Sequence, residues 1–92
     1  MNEVSVEKRL KKKVNENGGL ALKLVSPGFA GVPDRLVLFH GPKIVFVELK
    51  APAKRLRSLQ RKRKKQLEAL GFQVYKIDSY EAIDRLLEEM VL

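Results

Sequence analysis

The spacing of apolar residues predicts an α/β fold, one mixed β-sheet flanked by helices, with elements in the order αβββαβα. Three observations carry this. Val6, Leu10 and Val14 recur every four residues, as one face of a helix does. Two β-branched and aromatic runs, Leu36 to Phe39 and Ile44 to Val47, flank the turn residues His40-Gly41-Pro42-Lys43 and so form a hairpin. A helix, a strand and another helix then follow, and helices interspersed with a central hairpin pack as layers on one sheet.

In chain order, the first helix runs from about residue 3 to 17 and ends at Asn17-Gly18-Gly19, residues that tolerate the left-handed conformation past a helix C-terminus. Leu20 to Val25 is a short strand. Ser26 to Val32, with two glycines and a proline, is a loop. After the hairpin and Ala51-Pro52-Ala53, Leu56, Leu59, Leu67 and Leu70 share one face of a second helix, closed by Gly71. Phe72 to Ile77 alternates as a strand. Asp78-Ser79 can cap a last helix, whose inner side carries Ile83, Leu86, Leu87 and Met90.

Ninety-two residues give one domain, spanning residues 1–92. The composition is 45% apolar and 33% charged, enough to build a core beneath an ionic surface. The longest apolar runs are four residues, against roughly 20 for a membrane span, so no membrane association is expected. The N-terminus does not read as a signal peptide, and the absence of cysteine excludes disulfides and thiolate zinc sites. An intracellular, cytoplasmic location is expected, in a host's cytoplasm if a phage encodes the chain.

The net charge of +8 is unevenly spread. Residues 1 to 65 hold 17 basic and 5 acidic side chains, whereas residues 66 to 92 hold 2 and 6. Five of the six residues Lys8 to Lys13, and eight of the twelve from Lys54 to Lys65, are basic. Such clusters attract polyanions, and nucleic acid is the leading partner. The candidate phosphate contacts are Lys11, Lys12, Lys13, Lys54, Arg55, Arg57, Arg61, Arg63 and Lys64. A solvated surface, or docking on acidic proteins or membranes, is the alternative use of this charge.

Strand parity puts Asp34, Leu36 and Leu38 on one face of the hairpin, and Ile44, Phe46, Glu48 and Lys50 on one face of its partner strand. With Phe39 opposite Lys43, Asp34 falls opposite Glu48. Two carboxylates about 5 Å apart repel unless a cation lies between them, and oxygen ligands suit Mg²⁺. Lys50, on the same side, could orient water or offset charge on a phosphate. These groups could instead mark only where the strands leave the core. On the first helix, Glu7 projects into the apolar stripe and requires a cation, strong donors or an ion pair with a residue such as Lys11. Glu3, in the first turn, is explained by the helix dipole. On the second helix, Gln60 and Arg63 turn partly inward. His40 has no second histidine to work with and is expected to be structural. No tryptophan and two tyrosines argue against an aromatic base-stacking platform.

The sequence Gly31-Val32-Pro33-Asp34, then thirteen residues, then Glu48-Leu49-Lys50, resembles the PD-(D/E)xK nuclease signature. With Glu7, Gly18-Gly19, Arg35, and Ser58 with Gln60, the chain resembles the VRR-NUC domain over roughly residues 3 to 90. The resemblance implies a restriction-endonuclease-like core, dependence on Mg²⁺ or Mn²⁺, and phosphodiester hydrolysis in DNA. It also implies that Asp34, Glu48 and the Leu49 carbonyl hold metal, with Glu7 binding metal-bound water or a second cation. Lys50 would activate water and Gln60 orient the nucleophile or a ligand. Branched DNA such as a four-way (Holliday) junction is the expected substrate, and because resolving a junction takes two symmetric cuts while one chain supplies one site, a homodimer is expected. The alternative is a non-catalytic, basic nucleic-acid-binding protein.

Overall fold

The computed structural model describes residues 2–91. Its elements follow the expected order: α1 (Glu3–Glu16), β1 (Leu20–Lys23), β2 (Arg35–Phe39), β3 (Lys43–Leu49), α2 (Ser58–Ala69), β4 (Gln73–Ile77) and α3 (Tyr80–Val91). The side chain of Asn2 caps α1, accepting the Ser5 N–H at 2.9 Å. The helix closes where Gly18 turns left-handed at φ 80°, with the Gly19 N–H donating back to the Val14 carbonyl at 2.9 Å. β1 stops two residues earlier than the apolar run suggests. Leu56 and Phe72 likewise lie just outside the elements to which periodicity assigns them.

The four strands lie in the order β1-β2-β3-β4. The first three are antiparallel, and β4 is parallel to β3, reached by a crossover through α2. Phe39 pairs with Lys43, Leu38 with Ile44 and Arg35 with Val47, the register that parity requires. One sheet face, through Val37, Phe39, Val45, Val47 and Leu49, packs on Val6, Leu10 and Val14 of α1 and on Ile83, Leu86 and Met90 of α3. These residues form the core.

The other face is different. Leu20, Leu22, Leu36, Leu38, Ile44 and Phe46 lie side by side on it by register. Leu20, Leu22 and Ile44 remain 43 to 55% exposed. Its far end, where Glu48 projects, is covered by α2. None of that helix's residues is buried, and Leu59 and Leu70 on its apolar stripe are 40% and 74% exposed. The stripe is thus a surface feature of the protomer, because α2 rests on the end of the sheet rather than along it. No helix among the described residues is long and apolar enough to cross a membrane.

Candidate active site

Asp34 enters β2 immediately after buried Pro33, and its main-chain carbonyl accepts the Leu24 N–H and Arg35 Nη1, each at 2.9 Å. Its carboxylate reaches across to β3, where Oδ1 accepts the Leu49 N–H at 3.2 Å. Glu48 is the buried charged residue of the sheet, 6% exposed between core residues Val47 and Leu49, which face the other way. Its Oε2 accepts from Gln60 Nε2 at 2.8 Å and lies 3.9 Å from Lys50 Nζ, whereas Oε1 is buried with no partner. The hairpin therefore brings Asp34, Glu48 and Lys50 together as strand parity requires.

Gln60 can only act as a donor toward Glu48. Its Oε1 already accepts the Arg57 N–H at 2.9 Å at the start of α2, so the amide is fixed with its NH₂ facing the carboxylate.

Burial raises the Glu48 pKa to about 7, the Asp34 charge adds to the rise, and Lys50 opposes it. Asp34 is also raised, first by burial, while the bond from Leu49 and the charge of Arg35 pull it back. Two desolvated, mutually repelling carboxylates with one orphaned oxygen fit a hard divalent cation. Among the described residues no group of three or more His, Cys, Asp and Glu side chains could hold a metal. Two carboxylates completed by water, main-chain oxygen and substrate phosphate are the manner in which Mg²⁺ is usually held.

The ion pair that Glu7 makes is with Arg35. Arg35 pairs with Val47 and so faces α1, and its Nη2 lies 2.7 Å from Glu7 Oε1. The Glu7 side chain is 47% exposed rather than enclosed in the stripe, and its cation is Arg35, not Lys11. The carboxylate of α1 whose charge raises both Asp34 and Glu48 is Glu3. Sequence reasoning did not foresee the pairing of Arg35 with Glu7. The signal for Arg35 was present, since a residue following Asp34 on β2 must face the first helix and meet its inward acid.

The two basic clusters flank opposite sheet faces, Lys11, Lys12 and Lys13 on α1 and the remainder before or on α2. Several of these cations are already engaged. Lys13 is 3.5 Å from Glu16, Lys64 is 3.0 Å from Glu68, and Arg61 donates to the Leu56 carbonyl at 2.8 Å. Arg63 holds the Ala30 carbonyl. Lys54, Arg55 and Arg57 are exposed ahead of α2. His40 is exposed near the hairpin turn, away from the carboxylates.

No protein-family model matches the sequence. The fold is similar to a solved structure described as a VRR_NUC domain, with a TM-score of 0.87 and 31% identity, covering 94% of each chain. The sequence is 47% identical over 81 residues to "Putative nuclease p44" of Acyrthosiphon pisum secondary endosymbiont phage 1, covering 88% of this chain and 87% of that one. Sequence and fold agree with the carboxylate-lysine constellation at the end of the hairpin, and the chain belongs to the VRR-NUC domain family of nucleases.

Proposed function

We propose that the protein is a divalent-metal-dependent endonuclease that hydrolyses phosphodiester bonds in branched DNA, four-way junctions included, and that it works as a homodimer. The observation that carries the reading is the buried Asp34 and Glu48 pair, with Glu48 Oε1 unpartnered and Lys50 beside it. In this reading Asp34, Glu48 and the Leu49 carbonyl hold Mg²⁺ or Mn²⁺. The bound cation supplies charge at the phosphate and makes water more acidic. Lys50 orients the attacking water and offsets charge developing on phosphorus. Gln60 fixes the Glu48 carboxylate so that its free oxygen stays turned into the site. Glu3, whose charge acts on both carboxylates, provides a further carboxylate on the helix side. Glu7 positions Asp34 through Arg35, which also grips the Asp34 carbonyl.

The open sheet face supports the homodimer. Two chains of net charge +8 repel, and the neutral face from Leu20 to Phe46 lets two copies meet without opposing cations. No charge interrupts it.

The test is cleavage of end-labelled duplex, flap and four-way DNAs in Mg²⁺, Mn²⁺ or EDTA. Cutting that needs the metal and disappears in Asp34→Ala, while binding survives, is the expected result. Binding with no cleavage under any metal would leave a non-catalytic DNA-binding protein instead.

A further inference from the structure

The loop between β1 and β2 holds an aromatic ring in an unusual setting. Phe29 is 49% exposed, and the Arg63 guanidinium carbon lies 3.7 Å from the ring centroid. Arg63 is itself fixed, since Nε donates to the Ala30 carbonyl at 2.8 Å and Nη1 to Gln66 at 3.0 Å. One face of the ring is covered by a cation and the rest stands open. Beside it is a recess of about 460 Å³ lined by Phe29, Val32, Leu67 and Leu70 on an otherwise basic helix. A recess of that size is within the range that takes small flat ligands. The other described aromatics are committed elsewhere. Phe39 is buried, Phe46 and Phe72 meet edge to face, Tyr75 donates to Glu89, and Tyr80 lies under Arg9.

The position bears on the reaction. Arg63 lies one turn along α2 from Gln60, a rise of about 4.5 Å, and Gln60 holds Glu48. Phe29 is five residues before Asp34 on a loop packed so closely against α2 that a Cβ at Gly31 would lie 2.7 Å from Leu59 Cγ. The loop that carries the ring is thus packed on the helix that holds Glu48 and runs on in sequence to Asp34.

We propose that Phe29 is a stacking site for a nucleobase whose stacking face is left free at the branch point of the DNA. This rests on the reading of the protein as a nuclease of branched DNA and names the feature of that DNA it selects. A base inside a duplex is stacked on both faces, whereas a branch leaves bases with a free face that an aromatic ring can cover. Arg63 completes the stack from behind. A single ring of this kind is not a base-stacking platform for long single strands. It reads one position.

The test separates stacking from cleavage. Binding is followed in EDTA by fluorescence anisotropy on a paired duplex and on a junction carrying 2-aminopurine at the branch. Phe29→Leu and Phe29→Trp, both checked for native melting, are compared with the wild type. The expected result for Phe29→Leu is about tenfold weaker binding to the junction, lost 2-aminopurine quenching and duplex binding within about twofold of the wild type. Phe29→Trp retains both the preference and the quenching. Equal loss on both DNAs, an unchanged preference in Phe29→Leu, or a wild type that holds both DNAs equally would overturn the proposal. Cleavage in Mg²⁺ is scored separately. A Phe29-dependent preference without cutting removes the nuclease reading alone, and cutting with a Phe29-independent preference removes the stacking site alone.

Discussion

Folding raises the affinity of Glu48 for a proton. Its pKa rises from 4.5 to about 7 on folding because burial and Asp34 disfavour its charge more than Lys50 favours it. Between those two values the folded protein binds more protons than the unfolded one, so the cation-free protein loses stability as pH rises through that window. Glu48→Gln, which keeps an acceptor for Gln60, is therefore expected to melt about 5 °C or more above the wild type at pH 8 in EDTA, and close to it at pH 4. Mg²⁺ should raise the melting temperature of the wild type at pH 8 and leave Glu48→Gln unchanged, and that variant should not cleave. The two acids of α1 separate in the same way. Glu3→Gln should raise the Mg²⁺ concentration needed for half-maximal cleavage several-fold. Glu7→Gln removes the pair with Arg35 and should show mainly as a lower melting temperature, read by calorimetry alongside the cleavage titration.

Besides its packing against β4, helix α2 is held by three contacts that bear on the site or on the loop before Asp34. Gln60 binds Glu48, Arg63 binds the loop carbonyl of Ala30, and Leu59 packs against Gly31. Gly31 has φ 88°, and an added Cβ would lie 2.7 Å from Leu59 Cγ and 3.1 Å from the Leu59 carbonyl. Gly31→Ala combines backbone strain with this clash and should cost about 2 kcal/mol in urea unfolding. Because the clash pushes α2 from the sheet, cleavage should fall further than stability accounts for, measured at a temperature where the variant remains folded.

Across the whole molecule, charge and apolar surface are divided between different tasks. The cationic clusters of α1 and the α2 region give DNA binding a steep salt dependence. Raising salt from 50 to 200 mM should weaken it by about a thousandfold if six or more phosphates are contacted, as filter binding would show. The neutral sheet face should respond to a different change. If the proposed dimer forms through this face, Leu22→Lys, at a position 43% exposed, should leave the protomer folded and give a monomer in sedimentation velocity, with junction cutting lost before simple binding.

The sequence alone determined the strand parity that puts Asp34, Glu48 and Lys50 on one side of a hairpin, because side chains alternate with period two whatever surrounds them. It also determined the order of elements, since each carries its own periodicity and terminators. Only the tertiary structure decided the partner of Glu7, because several cations lie within reach of that face of the helix in sequence. The packing of α1 across the sheet gives Glu7 to Arg35. The partners of Arg63 and the openness of the sheet face were settled there too. Both depend on how far α2 extends over the sheet, a distance set by loop closure and packing between residues far apart in the chain.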